Sequence, residues 1–246
     1  MPRYKLLIEY DGRGFVGWQR QANGLAVQEA IETAAAPLGC PPGGLHGAGR
    51  TDAGVHATGQ AAHLDLAKPY RPDSVRDAIN SRLKPHRIAI RDAVRVPDTF
   101  DARRSAIRRR YLYRIVNRRA PLALEAGQGW LVKPKLDADA MHAAAQLLLG
   151  AHDFSTFRDS ECQAASPLRT LDGFTVARDG ERLLVRVWAR SFLHRQVRSM
   201  VGSLAMVGLG RWAAADLRAA LDARDRRRCG QVAPGDGLFL AGVDYP

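Results

Sequence analysis

The sequence predicts an α+β protein made of two successive sheet-plus-helix domains, residues 1–103 and 104–246. Three observations carry this reading. The 246 residues, 46% of them apolar, suffice for two domains of about 100–150 residues, each with a core. Strand-like and helix-like segments alternate through the first hundred residues, and the order then recurs. The pattern fits two α+β sandwiches better than a doubly wound parallel sheet.

Tyr4–Tyr10 is mostly apolar and β-favouring, so it reads as a strand, which Asp11-Gly12-Arg13-Gly14 breaks. Phe15–Gln21 follows as an aromatic, polar loop. Val27, Ala30, Ile31, Ala34 and Leu38 lie at helical spacing, and Pro41-Pro42-Gly43-Gly44 ends that unit. His46–Gly49 leads into a loop, and Gly59–Leu66 returns as an alternating strand. Pro72–Leu83 is a helix opened by Pro72-Asp73-Ser74, with Ala78, Ile79 and Leu83 inward. Arg87–Val96 is a strand burying Ile88, Ile90 and Val94. A strand over Ile107–Val116 places Ile107, Arg109, Tyr111, Tyr113 and Ile115 on one face. Gly129–Val132 is extended, Ala138–Leu149 helical, and Phe174–Ala177 and Leu183–Ala189 are strands. Val197, Met200, Val201, Leu204 and Gly208 share helical spacing, Ala213–Ala223 is a further helix, and Leu238–Val243 a final apolar strand. No short-period repeat or low-complexity segment is present.

Charge is the strongest bulk signal. A net charge of +12 points to a polyanionic partner. Of the 37 cationic residues only five are Lys and 32 are Arg, the side chain that forks onto phosphate and stacks on bases. Residues 103–119 hold eight Arg and no acid, more one-signed charge than a solvated strand needs. No apolar run is long enough to span a membrane, and no signal-peptide hydrophobic region opens the chain, so a cytoplasmic location is expected.

Several chemistries find no motif. Cys40, Cys162 and Cys229 are odd in number and far apart, which suggests neither a disulfide framework nor a zinc site. Gly47-Ala48-Gly49 lacks the third glycine of a dinucleotide fingerprint, and there is no P-loop, H-E-x-x-H or G-x-S-x-G. The seven His do not pair at metal-ligand spacing, so chemistry without metal or cofactor is expected. What stands out is Gly49-Arg50-Thr51-Asp52-Ala53-Gly54-Val55-His56, a carboxylate between a guanidinium and an imidazole, with glycines that let the backbone approach a ligand closely. Asp-Ala-Gly is also ordinary turn chemistry, and the residues alone leave both readings open.

That octapeptide, together with Glu9-Tyr10-Asp11-Gly12, Gly17-Trp18-Gln19-Arg20-Gln21, Gly59-Gln60, Phe100–Arg103, Arg110-Tyr111-Leu112-Tyr113, Phe154–Arg158, Phe192-Leu193-His194 with Val197-Arg198, and Gly237–Tyr245, closely resembles the family of tRNA pseudouridine synthase A. The matches run in order over nearly the whole chain. The resemblance implies two RRM/ferredoxin-like domains around a central catalytic cleft, the pseudouridine synthase fold. It implies isomerisation of uridine to pseudouridine at positions 38 to 40 of the tRNA anticodon arm, by a homodimer without metal or cofactor. Asp52 matches the catalytic aspartate, a nucleophile or proton acceptor that must be ionised; a guanidinium, assigned by the family pattern to Arg198, would hold its pKa down. Tyr111 matches the tyrosine that stacks on the target base and serves as general base for the C5 proton. Arg103 matches an arginine thought to fill the space left by the flipped nucleotide, a reasonable device because extruding a paired base costs a few kcal/mol. Arg50, Gln19 and Arg20 are further candidates for substrate binding.

Each has a plainer alternative. Arg198 opens a helix beside an inward Val197, where it could be merely solvated, but the family match outweighs that; Tyr111 has the alternative of a strand tyrosine packed on Ile107 and Ile115. Trp18, Phe15 and Phe192 read as core, Asp11 as a turn residue, His142 as structural, and Arg224–Arg228 as either an RNA contact or a solvated helix end. Two other functions compete. A non-catalytic RNA-binding protein with duplicated RRM-like domains leaves Asp52 unexplained, and a hydrolase with an Asp nucleophile calls for a metal site or a second carboxylate that is not evident.

Overall fold

The computed structural model describes residues 1–246. In chain order its elements are β1 (Arg3–Tyr10), α1 (Val27–Ala35), β2 (Leu45–Gly47), β3 (His56–Asp65), α2 (Pro72–Leu83), β4 (Ile88–Val96), β5 (Arg108–Val116), β6 (Trp130–Leu131), α3 (Ala138–Gln146), β7 (Gly150–Asp153), β8 (Leu168–Asp179), β9 (Arg182–Ala189), α4 (Gln196–Gly208), α5 (Ala214–Ala223) and β10 (Leu238–Asp244). They form two compact units, Met1–Arg109 with Phe239–Pro246, and Arg110–Leu238. The division thus falls after Arg109 rather than after 103, and the last eight residues belong with the first unit.

In unit 1, β1 runs antiparallel between β3 and β4, and β2 pairs antiparallel with β3. This order, with α1 and α2 as crossovers, is the split βαβ arrangement of ferredoxin-like domains. β1 forms because its apolar residues alternate: Tyr4, Leu6, Ile8 and Tyr10 are buried while the residues between them are more open. Val27, Ala30, Ile31 and Ala34 of α1 and Val75, Ile79 and Leu83 of α2 are buried too. Each large aliphatic side chain so covered contributes about 1.5–3 kcal/mol. β3 is covered on both faces, which explains its small residues Ala57, Ala61 and Ala62. β2 takes the Ala62–Leu64 end of β3, and β10 pairs in parallel at the other end, Phe239 with His56 and Leu240 with Ala57. That pairing is why the terminal strand leaves the second unit.

Unit 2 holds a sheet in the order β5-β9-β8-β7, with β6 beside β5. Tyr113 and Ile115 of β5, Val185 and Val187 of β9, Met141 of α3 and nearly all of α4 are buried in it.

The structure departs from the sequence expectations at identifiable points. The first helix stops at Ala35 and finishes as a 3₁₀ turn over Ala36–Leu38, because Pro37 offers no N–H to continue it. On β4 the buried residue after Ile90 is Ala93, not Val94, because the β1–β4 register shifts between Leu7 and Ile8 and moves later side chains to the other face. Ile107 lies before β5 and is 52% exposed, so it does not share the buried face of Tyr113 and Ile115. β8 is far longer than Phe174–Ala177, its ends largely exposed, and β2 and β7 are too short to show a period. No helix is long and apolar enough to cross a membrane.

Candidate catalytic site

Asp52 lies in unit 1, half-buried, in the connection between β2 and β3. Its backbone is fixed from several sides. The Val55 N–H donates to the Asp52 carbonyl at 3.1 Å, closing a tight turn in which Gly54 adopts a φ of +76°. The Trp18 N–H donates to the Thr51 carbonyl at 3.0 Å, and the Tyr10 and Thr51 hydroxyls share a buried hydrogen bond of 2.8 Å. At the loop's start, the buried Gln60 amide donates to the Gly49 carbonyl at 2.8 Å. The turn reading and the catalytic reading of Asp-Ala-Gly are therefore compatible: a closed turn holds the carboxylate.

Two glycines of the Asp11–Gly17 segment permit this clamp. A Cβ on Gly12 would stand 2.2 Å from the Val55 carbonyl oxygen, and one on Gly17 2.7 Å from that of Thr51, where the backbone also needs a φ of +118°. The Gly12 N–H donates to His56 Nδ1 at 3.1 Å, and His56, stacked on Phe239 at 4.7 Å, is 1% exposed. Asp11 approaches the same Nδ1 at 3.2 Å, and its carboxylate also pairs with Arg13 and, at 3.0 Å, with Arg87. Asp11 is thus an ion-paired turn residue that holds the loop entering the clamp.

Burial pushes the Asp11 carboxyl up, but the Arg13 side chain and N–H, with Arg87 and His56, hold it well below the ordinary range. Asp159 in unit 2 is likewise pushed up by burial and held down by the Glu161 N–H, Arg195 and His194. Both pKa values are lower in the folded chain than their ordinary value of 3.8, so their ionisation stabilises the fold above that pH and the contribution fades as pH falls through and below it. The thermal midpoint is expected to drop below about pH 4, with a shallower drop in Asp11→Asn. An unchanged acid limb in that variant rules out this role for Asp11.

The remaining unit 1 candidates separate clearly. Arg50 and Gln19 are exposed. Arg20 is committed to α1: it pairs with Glu29 at 3.2 Å and with the buried Glu32 at 3.0 Å. Arg103 is exposed on a rigid turn, where the N–H groups of Arg103 and Arg104 both donate to Asp101 Oδ1 at 2.8 Å. Trp18 is 3% exposed against Tyr10 and is core, as is Phe15 at 8%.

Tyr111 and Arg198 lie in unit 2. Tyr111 is half-buried and meets the Phe192 ring edge-on, at 5.2 Å and 88°, so its packing partner is Phe192 rather than Ile107. Tyr113 is fully buried, donates to the Pro234 carbonyl at 2.8 Å, and has its phenol pKa raised well above the usual value by burial. Arg198, in the first turn of α4, is no freely solvated side chain: its Nε donates to the Ala233 carbonyl at 2.8 Å, and the Ala233 N–H returns a bond to the Arg198 carbonyl.

Elsewhere in unit 2, the Arg224–Arg228 stretch is partly structural. Arg226 donates to Thr156 O and Ser199 Oγ, and Arg227 pairs with Asp225, while Arg228 is exposed. His142 accepts the Val176 N–H at 3.3 Å. All three cysteines are free; burial, with Glu32 and Asp65 nearby, pushes the Cys40 thiol up to about 11. Sequence reasoning placed Tyr10, Thr51 and Gln60 in the matching motifs and Arg109 on a strand face, but gave none of them its role in holding the loop.

The profile of the tRNA pseudouridine synthase family matches residues 6–103 and 144–246. The chain belongs to this family. A tRNA pseudouridine synthase A of Beijerinckia indica subsp. indica is 66% identical, over 100% of this chain and 95% of that protein. Those of Methylocella silvestris and Maricaulis maris are 65% and 62% identical, each over 100% of this chain and 99% of the relative. A chain of a solved Cbf5-Nop10-Gar1 complex aligns with a TM-score of 0.40 and 10% identity over 82% of this chain and 45% of that one. Membership makes the protein an isomerase of tRNA uridine, and the α+β class predicted from the sequence agrees with it.

Proposed function

We propose that this protein converts uridine to pseudouridine at one or more of positions 38, 39 and 40 in the tRNA anticodon arm, as a cytoplasmic homodimer, with Asp52 as nucleophile. The observation that carries the proposal is the clamped loop: a half-buried carboxylate on a turn tied to Trp18 and closed by its own backbone. Such pre-organisation is what a positioned nucleophile needs. The reaction is an isomerisation and balances without a co-reactant. The C1′–N1 bond breaks, the base turns, C5 bonds to C1′, the C5 proton leaves and N1 ends with one. Asp52 acts first on the nucleoside; Tyr111, held edge-on by Phe192, stacks on the base and accepts the C5 proton. Arg198, its Nε held on the Ala233 carbonyl, serves as the catalytic arginine, and Arg103 enters the stack in place of the flipped nucleotide.

Exposed arginines at 103, 104, 108 and 110 support substrate recognition by shape and phosphate rather than by base edges. Affinity for tRNA is expected to fall by about tenfold or more between 50 and 200 mM salt, through counterion release. A flat response in a filter-binding titration removes these arginines from the substrate platform. The assignment of positions is tested by pseudouridine mapping on a purified tRNA with anticodon-arm uridines, with no cofactor added. Product at positions 38–40 is expected. Product only elsewhere rejects the positions, and tight binding without product favours a non-catalytic RNA-binding protein.

A further inference from the structure

Arg109 is 8% exposed, a burial that is costly for a guanidinium unless its donors are satisfied. Three of its hydrogen bonds go to backbone carbonyls drawn from two separate segments. Nη2 donates to Ala48 O at 2.8 Å and to Arg103 O at 2.6 Å, and Nη1 donates to Ala106 O at 3.2 Å. Ala48 is the residue from which the Asp52 loop departs, its own N–H bonded to Ala61 O at 2.8 Å. Arg103 is an exposed residue of the neighbouring turn. One planar fork therefore joins the root of the loop carrying the carboxylate to the turn carrying the free guanidinium. That turn is anchored a second time: the Tyr245 hydroxyl donates to Ala102 O at 2.8 Å, and the Ala102 N–H donates to His63 Nδ1 at 3.0 Å. Ala48, Ala61 and Ala102 form one small core cluster under both segments, with Phe100, Val243 and Tyr245 packed on it. An apolar side chain would fill this space at lower cost than a buried charge, so space-filling alone does not account for an arginine here.

We propose that Arg109 is a positioning residue that sets the spacing between the Asp52 loop and the Arg103 turn, so that Asp52 reaches the flipped nucleotide while Arg103 fills the space it leaves. The proposal rests on the functional reading above, in which Asp52 and Arg103 act on one substrate. A lysine keeps the charge but has no fork with which to hold carbonyls of both segments.

The test is kinetic and uses the full-length protein with intact tRNA. Arg109→Lys is expected to lower kcat for pseudouridine formation by about tenfold or more, since small misplacements of reacting groups are expensive, while tRNA affinity changes by less than about threefold. Arg103→Ala is expected to cost much less in the Arg109→Lys background than in wild type, the non-additivity of residues acting through one arrangement. If Arg109→Lys melts without a cooperative transition, Tyr245→Phe takes its place: it loosens the same turn by one hydrogen bond and is expected to show a smaller loss of kcat with the same non-additivity. Equal cost of Arg103→Ala in all backgrounds, or a loss that only tracks the folded fraction, overturns the proposal. Absence of pseudouridine with wild-type protein is a different failure, that of the functional reading itself.

Discussion

Asp52→Asn is expected to abolish pseudouridine formation, lowering kcat by about three orders of magnitude or more while the protein folds and binds tRNA as before. The amide keeps the size of the side chain and removes its charge and nucleophilicity. The backbone that defines the turn is untouched: the Val55 N–H still reaches the residue 52 carbonyl, and Trp18 still holds Thr51. The turn should therefore survive the substitution and the protein should still melt cooperatively. Three readings on one preparation decide the matter: single-turnover product formation, tRNA affinity and thermal midpoint. Turnover near that of wild type sinks the catalytic assignment. Lost activity accompanied by a lower midpoint would instead make Asp52 a structural turn residue, the alternative that Asp-Ala-Gly also allows.

The second large effect is expected at Gly12→Ala. Its Cβ would meet the Val55 carbonyl oxygen at 2.2 Å, the Val55 carbonyl carbon at 2.6 Å and the Gly54 carbonyl carbon at 2.9 Å. All three are backbone atoms, so no side chain can rotate away. Either the Asp11–Gly17 segment or the Asp52 turn must move, and the Gly12 N–H bond to His56 is strained or lost. We expect destabilisation of about 2–4 kcal/mol, by the overpacking route. We also expect catalytic loss in the fraction that stays folded, because the moving atoms adjoin residue 52. Gly14→Ala is the control, since nothing lies within 4 Å of its added Cβ, although its φ of +83° brings a backbone penalty of roughly 1 kcal/mol. Equal midpoints and equal turnover for Gly12→Ala and wild type, measured by thermal melts and single-turnover assays, would show that the two segments do not clamp each other.

Much of the fold was legible because it rests on local periodicity. Tyr4–Tyr10 alternates with period two, and Val27, Ala30, Ile31 and Ala34 recur at helical spacing; both patterns are buried as they predict. Legibility ended where a pattern was too short or was interrupted by a partner. β2 is three residues long, too few for any period. On β4 the burial of Ala93 instead of Val94 follows from the register shift against β1, which is a property of the pair and not of either strand alone. The terminal strand was read correctly as apolar and extended, but its partner was not, since nothing near residue 239 announces a parallel pairing with His56.

The candidate site divides along the same line. The sequence by itself determined the family, the α+β class, the excess of arginine and the identity of the loop centred on Asp52, because these reside in residue types and in their order. The tertiary structure decided what each candidate side chain is free to do. Arg20 and Arg103 look alike as basic loop residues and both are exposed, yet Arg20 is paired with Glu29 and Glu32 while the Arg103 backbone N–H is bonded to Asp101. Arg109 lies in the same arginine-rich run as Arg108 and Arg110, and only it is buried on the carbonyls of Ala48 and Arg103. Chain order records the chemistry a residue carries. Whether that chemistry is spent on holding the fold or left for a substrate depends on distances between segments far apart in the chain, and those arise only when the chain packs.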